Sequence, residues 1–216
     1  MLKFSLGING RALRLLCLGA HSDDLEIGCG GTILEWLRAY PGVEVTWVVM
    51  SACGQRAEEA RRSANALLRG ARRTKIVLHE LEDGHFPAHF DEAKKAFEAL
   101  KATGTPDVIF SHRLEDRHQD HRLVAELTWQ TWRRHLVLEY EVPKYEGDLG
   151  QPNLFVPVSA RTGKRKVEHL MRHFASQRSR SWFVPPTFFG LMQLRGVECR
   201  APSGFAEAHH VRKALL

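Results

Sequence analysis

The four cysteines, Cys17, Cys29, Cys53 and Cys199, include no Cys-x-x-Cys pair, and two of them lie in or just after apolar strands. That is the pattern of reduced, buried thiols in a cytosolic protein. Long hydrophobic runs are missing too. Near the start only residues 15–20 are continuously apolar, too few for a signal-peptide core or a membrane span. No repeat and no low-complexity segment appears, and the glycine-rich stretch GCGG does not complete a G-x-G-x-x-G fingerprint. An imidazole and two acids beside that stretch would also repel a pyrophosphate, which sets a dinucleotide site aside. The expectation is a soluble, cytoplasmic protein.

What is present is enough for a sizeable core: 216 residues, 44% of them hydrophobic, read as one domain over 1–216. The formal charge of +6 is scattered. Its densest patch, residues 161–180 with Arg161, Lys164, Arg165, Lys166, Arg172, Arg178 and Arg180, falls on an amphipathic pattern and reads as a solvated helix face. No nucleic-acid partner is expected from it.

The chain is organised around LLCLGAHSDDLEIGCGGT, residues 15–32. Residues 15–20 suit a strand buried on both faces of a parallel sheet, and His21 falls where that strand ends. Gly28, Gly30 and Gly31 are expected to form a flexible turn before a helix beginning near Thr32. Further strands are expected over 43–50, 75–81 and 106–111, separated by helical stripes that include Ala60, Ala64, Leu67 and Leu68, and then Phe90, Ala93, Phe97 and Leu100. Four rounds of strand and helix predict an α/β fold with a mostly parallel sheet and right-handed crossovers. Strands over 136–142 and 154–158 and a helical stripe at Val167, Leu170, Met171 and Phe174 follow. Beyond Pro185 and Pro186 a less regular C-terminal tail is expected.

The fourth strand, like the first, runs into polar residues: His112, Glu115, Asp116, His118, Asp120 and His121. In a doubly wound sheet the first and fourth strands lie side by side at the switch point, where ligands bind outside the strand C-termini. His21, Asp24 and His121 then make a two-histidine, one-carboxylate set suited to a catalytic zinc ion with an open position. Asp23, fixed next to a ligand by the chain itself, can take the proton of a metal-bound water. His118 can protonate a leaving group or stabilise an oxyanion, with Asp120 orienting its ring. Taken separately, Ser-Asp-Asp before a glycine-rich stretch is an ordinary helix N-terminus, and a lone His-x-x-His is a weak metal signal. Their joint placement favours an amidase.

AHSDDLEIGCGGT and DRHQDH resemble the two signature motifs of the PIG-L/LmbE-like zinc-dependent de-N-acetylases, which usually read AHPDD with a following GG, and HPDH. The stretch SACGQRAEEARRSANALLRG is similar to the family's small-residue loop with Arg-x-x-Glu, and LEDG to its Asp-Gly turn. The resemblance covers roughly the first 130 residues. It implies a Rossmann-like three-layer sandwich and removal of an acetyl group from an N-acetylglucosamine-type amino sugar. It also implies metal ligands at His21, Asp24 and His121, the base at Asp23, a second catalytic histidine and its aspartate at His118 and Asp120, and sugar contacts from Arg56 and Asp83. The implied cofactor is Zn2+, with another divalent metal such as Fe2+ as the alternative. Ser22 and Gln119 stand where the family usually has proline, so both loops lose a φ restraint and gain a backbone donor. The alternatives to a sugar deacetylase are a zinc amidase acting on a non-sugar amide and a non-catalytic basic binding module. The sequence is also open to a homo-oligomer, with Trp182, Phe183, Phe188 and Phe189 at a subunit contact, along the substrate entrance or in the core.

Overall fold

In the computed structural model, which describes residues 5–8 and 10–215, a seven-stranded sheet forms the centre of the molecule. In chain order the strands are β1 (Arg14–His21), β2 (Glu44–Ser51), β3 (Arg73–Leu78), β4 (Val108–Ser111), β5 (Leu136–Tyr140), β6 (Leu154–Val158) and β7 (Phe205–His210). The helices are α1 (Asp24–Ala39), α2 (Gly54–Leu67), α3 (Phe90–Lys101), α4 (Gln119–Thr131), α5 (Ala160–His173) and α6 (Pro185–Cys199). The spatial order is β3-β2-β1-β4-β5-β7-β6. The first five strands pair in parallel, and β7 runs antiparallel to both β5 and β6. β1 and β4 are neighbours, so the expected switch point is present.

Period-two patterning on buried strands builds two cores. Leu15 and Cys17 face the layer containing α1, α2, α5 and α6, while Leu16, Leu18 and Ala20 face α3 and α4. Both faces of β1 are covered, which is why its sequence is apolar almost without a break.

Two expectations need correction. The glycine-rich stretch is not a turn: α1 begins at Asp24, not near Thr32, and Gly28, Gly30 and Gly31 lie inside it. At Gly28 and Gly31 the absent side chain is needed for close approach. A Cβ on Gly28 would sit 2.1 Å from the Tyr140 ring, and one on Gly31 would sit 2.8 Å from the Glu207 carboxylate. The C-terminal part is also regular. Pro185 and Pro186 occupy the first turn of α6, where a missing N–H costs nothing and a fixed φ helps, so the double proline opens a helix. β7 then inserts between β5 and β6. Its sequence FAEAHH carries no β-branched residue to announce a strand.

α5 follows the expected amphipathic pattern. It buries Val167 and Leu170 but also Lys166, and it leaves Arg161, Lys164, Arg165 and Arg172 exposed. Phe183 and Phe188 are core residues, whereas Trp182 and Phe189 are half-buried against that core. Cys17 and Cys29 are buried free thiols. Among the described residues no helix is long and apolar enough to cross a membrane.

Candidate metal centre and active site

His21 is the last residue of β1, and Asp23 occupies the N-cap position of α1. Asp24 opens that helix, so strand and helix hold the segment from both ends. Asp24 Oδ2 accepts the His21 N–H at 2.6 Å, which folds the carboxylate back toward the strand end. From the adjacent strand, β4 leads through a loop into α4, which carries Asp120 and His121 in its first turn and has His118 as its cap.

Three donor atoms face one another here. His21 Nδ1 lies 3.1 Å from His121 Nε2 and 3.4 Å from Asp24 Oδ2, and His121 Nε2 lies 3.5 Å from Asp24 Oδ2. Ligands at about 2.0–2.1 Å from a tetrahedral ion are separated by roughly 3.3–3.4 Å, so this triangle has the dimensions of one face of a zinc coordination sphere. The surrounding charge points the same way. Asp23, Asp24, Asp116 and Asp120 are all buried here, while the cationic side chains among them are Arg56, Lys144 and His21, whose pKa, against the lowering effect of burial, Asp120 and Asp24 raise well above its ordinary value. A divalent cation fits both the donor set and the excess of negative charge.

Asp23 behaves unlike an ordinary cap. It is buried and its side chain makes no capping hydrogen bond; its neighbour is Arg56, at 3.9 Å. Burial and the adjacent charge of Asp24 raise its pKa to about 6, against the opposing pull of Arg56 and His21. Asp24 is driven the other way. Burial would raise it, but the His121 and His112 rings hold it well below the usual carboxylate range. Two adjacent aspartates are thus differentiated by their surroundings.

His118 Nδ1 accepts the Asp120 backbone N–H at 3.3 Å, and burial together with the charge of His21 lowers its pKa. A neutral ring whose Nδ1 accepts carries its proton on Nε2. The expectation that Asp120 orients this ring through its carboxylate meets a different geometry. That carboxylate lies 3.2 Å from His21 Nε2 and accepts Gly84 N–H at 2.6 Å and Phe86 N–H at 3.1 Å. It therefore steadies His21 and the loop beside it, and Asp120 holds His118 through its own backbone instead.

Arg56 and Asp83 are brought together at 2.6 Å on the exposed side of the cluster, where the Asp83 side chain is half exposed. Asp83 also lies 3.1 Å from His21 Nε2.

Sequence reasoning assigned no role to His112 or Asp116. His112 is fully buried. Its Nε2 accepts Ala20 N–H at 2.9 Å and lies 3.1 Å from Asp24 Oδ2, and its ring stacks on His121 with centroids 3.8 Å apart. His112, Asp24 and His121 therefore form a second compact donor group on the same spot. The sequence signal was the position of His112 immediately after strand four, matching His21 at the end of strand one.

The same architecture recurs in solved structures. N,N'-diacetylchitobiose deacetylase from Pyrococcus horikoshii is 19% identical, with a TM-score of 0.68 over 96% of this chain and 87% of that one. The zinc-inhibited form of teicoplanin deacetylase Orf2 is 14% identical, with a TM-score of 0.66 over 92% of this chain and 97% of that one. GalB, the 4-carboxy-2-hydroxymuconate hydratase from Pseudomonas putida KT2440, is 17% identical, with a TM-score of 0.71 over 94% of this chain and 98% of that one. These likenesses are of fold, and they span more than one reaction. The sequence narrows the choice. Residues 16–132, from the second apolar residue of β1 to the end of α4, match the model of PIG-L, GlcNAc-PI de-N-acetylase, and the chain belongs to that family.

Proposed function

We propose that this protein is a metal-dependent deacetylase that hydrolyses the N-acetyl amide of an amino sugar, releasing acetate and the free amine. The observation that carries the reading is the triangle of His21, Asp24 and His121 with an uncapped carboxylate, Asp23, beside it. Membership of the PIG-L family supports the same chemistry.

His21 Nδ1, Asp24 Oδ2 and His121 Nε2 would hold a divalent ion. A divalent metal bound there, zinc or another such as Fe2+, supplies Lewis acidity and a water acidic enough to ionise near neutral pH. Asp23 accepts the proton of the attacking water. Its side chain is free for this because it is engaged in no cap, and the chain fixes it next to a ligand. His118 presents its Nε2 proton as a hydrogen bond to the developing oxyanion and keeps it, while the proton that Asp23 took from water passes to the amine nitrogen as the C–N bond breaks. Arg56 and Asp83 bind sugar hydroxyls at the half-open rim, where their mutual ion pair gives a donor and an acceptor side by side.

The test is acetate release from N-acetylglucosamine derivatives and from non-sugar acetamides, assayed side by side with and without chelator. Chelator-sensitive release from the sugars is expected. Turnover of non-sugar amides alone would move the assignment to another amidase, and no release from any acetamide would overturn it.

A further inference from the structure

Asp116 lies in the loop between β4 and α4 and has no part in the chemistry above, yet it fastens His118, the cap of α4, and His121, in that helix's first turn. Its Oδ2 lies 3.0 Å from His121 Nδ1, and its Oδ1 accepts the His118 backbone N–H at 2.8 Å. A carboxylate oxygen can only accept, so His121 carries its ring proton on Nδ1 and keeps Nε2 as a lone pair. Nε2 is the atom in the donor triangle.

Asp116 is held in turn from a distant part of the chain. Lys144 Nζ donates to Asp116 Oδ2 at 3.0 Å and to Asp148 Oδ1 at 2.7 Å, and the Lys144 side chain is only 8% exposed. Asp148 closes the loop: its Oδ2 accepts Arg117 N–H at 2.6 Å and its backbone carbonyl accepts from Arg113 at 2.7 Å. The segment between β5 and β6 is thus bound to the loop that leads into α4 and its ligand.

We propose that Asp116 is a positioning residue for the metal, fixing the tautomer and direction of the His121 ring, and that Lys144 and Asp148 keep its carboxylate in place. The proposal rests on the metal-site reading given above. Partners of this kind behind a metal-bound histidine are worth about 10–100-fold in metal affinity.

The experiment is zinc affinity by chelator competition on the purified full chain, for wild type, His21→Ala, Asp116→Asn and Asp116→Glu, with far-UV circular dichroism of each apo-protein. Asp116→Asn should bind zinc about 10–100-fold more weakly, with Asp116→Glu recovering part of the loss and the apo fold unchanged. Asp116→Asn binding as wild type does would overturn the proposal while leaving the metal site standing. Wild type binding no more tightly than His21→Ala would instead overturn the metal site itself. A second measurement needs no variant: 15N chemical shifts of the imidazole rings in the apo wild type should place the His121 proton on Nδ1. Finding it on Nε2 would refute the proposal even if the Asn variant fails to fold.

Discussion

The two ends of the chain meet on helix α1 and treat it differently. Residues up to α4 place every proposed site residue at the end of β1, in the loop after β3, or at the caps and first turns of α1, α2 and α4, all around the first turn of α1. The C-terminal elements touch the same helix two turns further on, with a buried ion pair. Glu207 of β7 accepts the Gly31 and Thr32 N–H groups at 2.7 and 2.6 Å, and Lys166 of α5 donates to the Ile27 carbonyl and to Glu207 itself. Side chains thus enter the backbone ladder of α1 in its middle, where Gly31 leaves room for them. One half of the molecule supplies the groups proposed to react; the other supplies charge that must stay buried and paired. Lesions at the proposed site residues should alter rate at nearly constant stability, and lesions at the buried ion pair should do the reverse.

The largest effect expected is at Asp23. Asp23→Asn keeps shape and removes the proposed base, so kcat should fall by about 10²–10⁴-fold with bound metal and melting temperature retained. Steady-state kinetics and metal analysis of the same sample check both halves of that statement. Lys166→Met comes next. It strands the Glu207 carboxylate in the interior, for which a loss of roughly 3–5 kcal/mol in denaturant unfolding is expected, and Lys166→Met with Glu207→Gln should recover part of it.

A pH effect of similar size belongs to His209 on β7. Burial lowers its pKa to about 4, with Glu207 opposing and Lys166 assisting, against about 6.5 in the unfolded chain. Above pH 6.5 both states are neutral at this residue, so it adds no pH dependence. Between pH 6.5 and 4 the unfolded chain binds a proton that the folded ring refuses, so stability falls with pH, by on the order of 3 kcal/mol across the window. Unfolding curves of His209→Gln should show a shallower decline over that range. The smallest effect is at Gly28→Ala. The added methyl collides with the Tyr140 ring, whose hydroxyl donates to the Leu18 carbonyl at 2.8 Å, and overpacking of this kind costs about 1–3 kcal/mol. A drop of several degrees in melting temperature is the measurement.

The same contrast explains what could be read from the sequence. The first four strands and their helices announce themselves by local pattern, and the site clusters sit directly where apolar runs stop, so His21, Asp23, Asp24, His118 and His121 stood out together. The role of the glycines did not. Gly28 and Gly31 look like turn residues until Tyr140 and Glu207, more than a hundred positions away, come to lie against them. Lys166 read as one more solvated charge because its partner is 41 residues further on, in a strand without β-branched residues. Asp116 and His112 were visible as polar residues after the fourth strand, but only three-dimensional contact assigns one to the back of His121 and the other to its face.

Everything proposed for the site depends on His21, Asp24 and His121 sharing one divalent ion. That sharing is tested most directly by zinc stoichiometry and affinity measured on the wild type and on His121→Ala after removal of adventitious metal. One tightly held ion per wild-type chain is expected, and none in His121→Ala. Equal binding by the two proteins, or full acetamide hydrolysis by a wild type stripped of metal, would contradict it.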